Sequence, residues 1–138
     1  MISFGEFMAR KSVFSEAMAP EQKAIKNQVL AKFAHMTPEE MLPLPERHDL
    51  YFKLNEPGTI MVPMTSLTNL RAREEGIKNA LTMMYAASIG ENMGLGKRVP
   101  ISVREVGPGK YEILDGNSTY NVAKASGWRE IPAILTGS

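Results

Sequence analysis

Apolar and polar residues alternate along several short stretches in the second half of the chain, and each of these stretches predicts a strand. β-Branched and aromatic side chains favour strands at 48–54, 59–62 and 99–106. Glycine and proline mark a turn at 107–110, after which an apolar stretch returns at 111–114. We therefore expect 111–114 to pair antiparallel with 99–106 as the second strand of a hairpin.

Two other segments of this half have the spacing of helices. Apolar residues recur at intervals of three, four and seven between residues 77 and 87, which predicts a helix. A second helix is predicted to start at 117–119 and to end near 126, because Gly116 allows a sharp turn before it and Gly127 lies where a left-handed C-cap belongs. Strands and helices in this order predict a small α/β domain of the α+β type at 49–138.

The first 48 residues have a different composition, and we predict that they form a helical arm. Alanine, methionine, lysine and glutamate dominate this part of the chain. Apolar residues at helical spacing follow Pro20 as far as Phe33, and Thr37-Pro38-Glu39-Glu40 has the signature of a helix start. The predicted organisation is therefore an arm at 1–48 followed by the α+β domain.

Composition excludes several classes of function. The 138 residues carry a formal net charge of +1, so no overall electrostatic field draws the chain onto nucleic acid. This net charge does not exclude a local basic surface. The sequence contains no cysteine, which excludes disulfides, thiolate chemistry and cysteine-bound zinc, and two histidines are too few for a histidine-rich metal site. No apolar run approaches the roughly 18 residues that a membrane span needs. We expect a cytoplasmic protein with no membrane partner.

The turn before the second helix is the strongest candidate for a binding site. Asp115 and Gly116 follow an apolar stretch, and Asn117, Ser118 or Thr119 can cap the helix that begins there. The first backbone N–H groups of a helix have no acceptor inside it, so they form a ready site for an anion. The turn therefore predicts a phosphate or nucleotide site made by Gly116 and the three residues after it.

The segment YEILDGNSTYNVAKASGWREIPAIL, residues 111–135, resembles the ParB/sulfiredoxin-like superfamily. There the matching element is a strand, a turn that reads roughly Gly-Glu-Arg-Arg, an alanine-rich helix, a glycine and an Ile-Pro strand. The resemblance covers residues 59–135 and implies a small mixed sheet with helices. It also implies that the helix start holds nucleotide phosphates, and that Arg71 and Arg73 stand where the superfamily often carries an arginine after an early strand.

The chain departs from the superfamily pattern at the turn itself. Ser118 and Thr119 stand in place of two arginines, and Asn117 stands in place of the glutamate. Hydroxyl groups cannot make the bidentate phosphate contacts of a guanidinium. Two interpretations stay open: a phosphate site built mainly from backbone N–H groups, or only a capped helix start. The reactive cysteine of sulfiredoxin is absent, which excludes the repair of sulfinic acids.

Asp115 is the candidate catalytic residue. A carboxylate beside bound phosphates could hold Mg²⁺ together with a nucleoside triphosphate, because hard cations prefer oxygen ligands. A single carboxylate does not make a metal site, and the alternative is that Asp115 only accepts hydrogen bonds at the turn.

Basic residues form a candidate rim for nucleic acid around this turn. The expected members are Arg71, Arg73, Lys97, Arg98, Lys124 and Arg129. Such a rim would attract a DNA backbone or a nucleotide if the fold brings these residues together. Four glutamates lie among them in the sequence, so scattered, solvated charge is the alternative.

The N-terminal sequence MISFGEFMARKSVFSEA resembles the capsid-targeting leader of internal head proteins in tailed phages of the T-even type. Ser3-Phe4 and Glu6-Phe7-Met8-Ala9 follow the order of those leaders, and Phe14-Ser15-Glu16 before Ala17 fits the cleavage site of the prohead protease. The resemblance implies a cleavable leader at 1–16 and a protein that is packaged in the virion head. A frayed amphipathic helix is the alternative.

Three functions remain open from the sequence. The first is a phage-encoded, ParB-like protein that binds a nucleotide or nucleic acid and acts on DNA or on a host factor. The second is an enzyme of the same fold, a Mg²⁺-dependent nuclease or nucleotide hydrolase that uses Asp115 and the Gly116 turn. The third is an interaction module, packaged in a phage head, whose binding site has decayed. Loss of the turn arginines favours binding or decay over catalysis.

Overall fold

The computed structural model describes residues 20–69 and 77–136 of the chain. The predicted leader at 1–16 lies outside these ranges, and so do Arg71 and Arg73. All three therefore stay predictions.

Five helices and five strands are assigned within the described ranges. The helices are α1 (Pro20–Lys32), α2 (Pro38–Met41), α3 (His48–Tyr51), α4 (Ile77–Ser88) and α5 (Asn117–Ala125). The strands are β1 (Thr59–Pro63), β2 (Leu67–Thr68), β3 (Ile101–Gly107), β4 (Lys110–Asp115) and β5 (Glu130–Leu135). A 3₁₀ turn at Met64–Ser66 joins β1 to β2.

The strands form one mixed sheet in the order β1-β5-β3-β4-β2. β1 pairs antiparallel with β5 and β3 pairs antiparallel with β4, whereas β3 and β5 are parallel, as are β2 and β4. A mixed sheet with helices confirms the predicted α+β class.

The predicted hairpin is confirmed. β3 and β4 pair with Val103 opposite Ile113 and Gly107 opposite Lys110, which leaves Pro108-Gly109 as a two-residue loop. Gly109 has a φ of +67°, a conformation that glycine adopts without steric cost. β3 begins at Ile101, two residues later than the alternation predicts, because Pro100 has no N–H with which to enter the ladder.

Helices α4 and α5 cover one face of the sheet, and most of the core lies between these layers. Ala80, Leu81 and Met84 share one side of α4 and are buried, as the spacing of three and four predicts. From the sheet, Val103 and Ile131 are fully buried in the same cluster. The buried side of α4 is thus the one that the apolar spacing predicts.

The arm residues that the structure describes pack onto this layer of helices. Val29 and Phe33 of the first arm helix lie in a second apolar cluster with Ala86 of α4. Lys32 forms an ion pair with Glu91, in the loop after α4. Met41, from the end of α2, belongs to the main core itself and is 2% exposed.

The predicted strand at 48–54 is wrong. Residues 48–51 form the short helix α3, and Phe52 alone makes a bridge, parallel to Arg98. The segment does not run along a sheet edge, because it turns to place Tyr51 and Phe52 against the indole of Trp128. Aromatic packing has overridden the β-propensity of these side chains.

In the described part of the chain, no helix is long and apolar enough to cross a membrane.

Candidate functional site

The candidate turn lies where β4 leaves the sheet. β4 ends at Asp115, Gly116 has φ +105° and ψ 26°, and α5 begins at Asn117. A Cβ atom on Gly116 would lie 2.5 Å from Cγ2 and 3.2 Å from Cα of Ile101, the first residue of β3. Only glycine fits this position, because a side chain would meet both a positive φ and a neighbouring backbone.

The first turn of α5 lacks the side-chain cap that the sequence predicts. The N-cap residue is Gly116, so neither Asn117, Ser118 nor Thr119 occupies the capping position, and no side chain makes a capping hydrogen bond. The helical ladder begins with the Tyr120 N–H, which donates to the Gly116 carbonyl at 2.9 Å. Asn117 and Thr119 therefore have backbone N–H groups with no acceptor inside the helix.

The end of the helix follows the prediction. Gly127 has a φ of +76°, and its N–H donates to the Lys124 carbonyl at 3.1 Å. The Trp128 N–H donates to the Ala123 carbonyl at 3.1 Å. This pair of hydrogen bonds is the Schellman motif, which turns the chain from α5 into β5.

Asn117 carries an unsatisfied polar atom at this helix start. Its side-chain oxygen Oδ1 is buried and accepts no hydrogen bond from the part of the chain that the structure describes. Buried acceptors without a donor are rare in folded proteins, since each one costs about 1–3 kcal/mol. The atom lies directly after Gly116, in the residue that begins the helix.

The two hydroxyl residues of the turn differ in exposure. Thr119 is 6% exposed, so its side chain lies mostly in the interior. Ser118 is half-buried. Ser118 is therefore better placed than Thr119 to meet a ligand that arrives from solvent.

Asp115 is exposed at the end of β4, where it lies opposite Ser102. Glu112, on the same strand, accepts a 2.7 Å hydrogen bond from Arg104 Nε and is thereby engaged. Across residues 20–69 and 77–136, no three His, Cys, Asp or Glu side chains come together as a metal site would require. Any cation at Asp115 would need other oxygen ligands, such as Asn117 Oδ1 or phosphate oxygens.

The described members of the basic rim fall into two places. Lys97 and Arg98 precede β3, and Arg129 precedes β5, its parallel neighbour. These three residues lie at one end of the sheet, which is also the end where β4 finishes at Asp115. Lys124 is on α5 and lines a shallow groove with Ile77, Asn121 and Ala125.

Sequence reasoning missed the segment that fastens the arm to this end of the sheet. Glu46 accepts hydrogen bonds from the backbone N–H groups of Arg129 at 2.7 Å and Glu130 at 3.4 Å. His48 Nε2 lies 3.0 Å from the Glu130 carbonyl. A charged residue after Pro45 gives no signal in the sequence that its partners lie more than 80 residues away.

Comparisons with known proteins give similarity of fold only. No protein-family model matches the chain, and a search of curated proteins finds no significant match. Sulfiredoxin from Arabidopsis thaliana is similar over 59% of this chain and 88% of its own, with 20% identity and a TM-score of 0.41. C-terminally truncated ParB from Caulobacter crescentus, in complex with CTP-γ-S, is similar over 59% of this chain and 45% of its own, with 24% identity and a TM-score of 0.39. Neither similarity assigns a family, a ligand or an activity to this chain.

Proposed function

We propose that the chain binds a nucleotide at the Gly116 turn. The observation that carries this proposal is the buried, unpartnered Oδ1 of Asn117, next to a helix start that has no side-chain cap. The proposed site consists of Gly116, Asn117, Ser118 and Thr119, with Arg71 and Arg73 as further expected contributors. Backbone N–H groups of the first turn hold the phosphates, and the helix dipole favours their negative charge.

A nucleotide suits this turn better than a bare anion does. An unprotonated phosphate oxygen is an acceptor only, so it satisfies N–H groups but offers nothing to Asn117 Oδ1. The ribose hydroxyls and base amino groups of a nucleotide are donors, and one of them would supply the hydrogen bond that Oδ1 lacks. One ligand that carries both kinds of group therefore accounts for both features of the site.

Thermal denaturation in the presence of CTP, ATP or GTP, each with and without Mg²⁺, tests the proposal. A nucleotide present at about 100 times its dissociation constant should stabilise the fold by about 2.7 kcal/mol. Asn117→Ala should weaken nucleotide binding roughly threefold to tenfold, the value of one hydrogen bond. The variant alone should be no less stable than the wild type, because it removes an unsatisfied acceptor.

Asn92→Ala is the matched control. Both polar ends of this amide are used, since Nδ2 donates to the Leu95 carbonyl at 3.0 Å and Oδ1 accepts from the Gly94 N–H at 3.2 Å. The substitution should lower stability by about 1 kcal/mol and leave nucleotide affinity unchanged. If no nucleotide stabilises the wild type, the turn is a helix start only, and the decayed interaction module becomes the favoured function.

Asp115 supports a second candidate, Mg²⁺-dependent hydrolysis of a nucleotide or of nucleic acid. Its exposed carboxylate directly precedes the turn, and Asn117 Oδ1 is an oxygen without a donor two residues later. Incubation with Mg²⁺ and either a nucleoside triphosphate or labelled DNA should then give product with the wild type and none with Asp115→Asn. Binding without turnover would leave Asp115 as a turn residue.

The wider biological role that we propose follows from the resemblances in the sequence. The protein would be phage-encoded, act on DNA or a host factor in the cytoplasm, and enter the head through its leader, which the prohead protease then removes. Mass spectrometry of purified virions should then detect a chain that begins at Ala17. Detection of the intact N-terminus in virions would refute cleavage at Glu16.

A further inference from the structure

Arg98 is held firmly by its backbone just before β3. Its N–H donates to the Tyr51 carbonyl at 2.7 Å, and its carbonyl accepts from the Lys53 N–H at 2.8 Å. These hydrogen bonds form the isolated bridge between Phe52 and Arg98, and Phe52 and Tyr51 are each 1% exposed. The base of the Arg98 side chain is therefore fixed against the core.

Among the described residues, the guanidinium of Arg98 has no counter-charge. The residue is half-buried, yet no carboxylate of the described residues forms an ion pair with it and no hydrogen bond of its side chain is found. Asp49 is the acidic side chain of the neighbouring helix α3, and it is engaged by Arg47 at 2.9 and 3.1 Å. Burial lowers the pKa of Arg98, and no neighbouring charge offsets that effect.

Arg104, which lies further along β3, shows the usual arrangement. It is exposed on β3, and its Nε donates to Glu112 at 2.7 Å. Burial of a charged side chain normally requires a partner, because desolvation is otherwise uncompensated. Arg98 is the more buried of the two arginines, and it is the one without a partner within 20–69 and 77–136. This is the arrangement expected of a side chain that binds an anion from outside the chain.

We infer that Arg98 binds a phosphate group. A guanidinium matches phosphate oxygens with two parallel hydrogen bonds. Lys97 precedes Arg98 in the chain and the Lys53 N–H donates to the Arg98 carbonyl, so two exposed lysines add positive charge to this end of the sheet. This phosphate site includes none of the turn residues, so it can be tested independently of nucleotide binding at Gly116.

The position of Arg98 suits phosphates that are also near the turn. It lies three residues before Ile101, so its Cα is within about 11 Å of the residue against which Gly116 packs. Both features lie at the end of the sheet where Ser102 pairs with Asp115. The phosphate has two sources: a nucleotide at the turn, or a nucleic acid strand that crosses this end of the sheet.

Arg98→Gln and Arg104→Gln form a matched pair, because each removes one positive charge through the same substitution. The probes are inorganic phosphate, CTP and a fluorescent DNA oligonucleotide, with affinities measured by thermal shift for the first two and by anisotropy for the third. Arg98→Gln should weaken binding of the probe at least tenfold, as expected for charge-assisted hydrogen bonds, and Arg104→Gln less than twofold.

The stability of the two variants shows whether Arg98 binds a ligand or only packs against the core. Arg98→Gln should be at least as stable as the wild type, because it removes an uncompensated charge, whereas Arg104→Gln loses an exposed ion pair and should change little. Equal affinities in wild type and Arg98→Gln, or equal losses in both variants, would overturn the inference. So would the absence of any response of the wild type to all three probes.

The three probes also identify the source of the phosphate. A tenfold loss for CTP with none for DNA assigns the arginine to a nucleotide. A loss for DNA, with the slope of log affinity against log salt reduced by about 1, assigns it to one backbone phosphate of a nucleic acid. If Asn117→Ala is without effect on CTP while Arg98→Gln weakens phosphate binding, nucleotide binding at the turn fails and the Arg98 site remains.

Discussion

Gly116 and Gly127 bound the same helix and both have a positive φ, but their surroundings differ. A Cβ on Gly116 would collide with Ile101, whereas nothing lies within 4 Å of the corresponding position on Gly127. The left-handed conformation alone costs a non-glycine residue about 1–2 kcal/mol. The contact with Ile101 adds a second cost at Gly116 only.

We therefore predict that Gly127→Ala lowers the free energy of unfolding by about 1–2 kcal/mol. Gly116→Ala should lower it by about 2–5 kcal/mol, since the steric cost of overpacking is added to the cost of the left-handed conformation. Urea denaturation of the two variants measures both values. Equal losses would mean that Ile101 moves aside without cost.

This difference decides how the turn must be tested for binding. Gly116→Val would act on the turn directly, because a β-branched side chain resists a positive φ. The 2.8 Å approach to Ile101 Cβ means that such a variant would disturb the start of β3 as well as the ligand site. Asn117→Ala changes only a side chain whose oxygen makes no hydrogen bond, so it separates binding from folding.

The short helix α3 is fastened to the start of β5 by its aromatic and polar side chains. The ring of Tyr51 stacks on Trp128 at 5.4 Å between centroids, and Trp128 Nε1 donates to the Leu44 carbonyl at 3.1 Å. The Tyr51 hydroxyl donates to the Pro45 carbonyl at 2.9 Å. Two distant segments of the chain, 44–52 and 126–130, are thus joined around one indole.

The Tyr51 hydroxyl makes this junction sensitive to alkaline pH. Burial raises the pKa of Tyr51 from 10.0 to about 12, so the unfolded chain loses this proton before the folded chain does. The stability that the neutral phenol contributes is complete below pH 10 and is lost as the pH rises from 10 to about 12.

We predict that the wild type loses more stability than Tyr51→Phe between pH 10 and 12, the window set by the pKa of Tyr51. The variant has no phenol to titrate, so the difference between the two proteins cancels the other groups that ionise there. Below pH 10 the variant should be about 1 kcal/mol less stable, because it lacks the hydrogen bond to Pro45. If the free energy of unfolding falls equally with pH in the two proteins, burial of Tyr51 does not make the fold sensitive to alkaline pH.

The described arm and the α+β domain share one hydrophobic core. Met41 and Leu44, which precede the predicted boundary at residue 49, are 2% and 3% exposed within the same cluster as Val103 and Ile131 of the sheet. Val29 and Phe33 cover Ala86 on the other side of α4. The division into an arm at 1–48 and a domain at 49–138 stays a prediction. Residues from before and after position 49 nevertheless pack in the same hydrophobic core.

We predict that a shortened chain of residues 49–138 will not reach the stability of the full chain. Its core would lack Met41 and Leu44, and cavities of this size cost about 2–5 kcal/mol each. Circular dichroism during thermal unfolding should show a broad transition or none. As a control, the stability loss of Met41→Ala in the full chain measures the cost of one of these cavities. A sharp transition of the fragment at the unfolding temperature of the full chain would show that the arm is dispensable.

The sequence alone determined those elements whose signals are local. Alternation and the turn at Pro108-Gly109 specified the hairpin of β3 and β4, and the glycines at 116 and 127 specified the limits of α5. Apolar spacing specified the buried side of α4. Each of these signals depends on residues within about one helix or one hairpin, where backbone preferences and side-chain period act directly.

Tertiary structure decided what depends on partners far along the chain. It made a helix of 48–51 because Tyr51 and Phe52 pack against Trp128, and it used Glu46 to hold the start of β5. It left Asn117 Oδ1 and the Arg98 guanidinium without partners among the described residues, although their sequence neighbours give no sign of it. Pairing and burial are set by residues brought together from opposite parts of the sequence, so these properties appear only when the chain is folded.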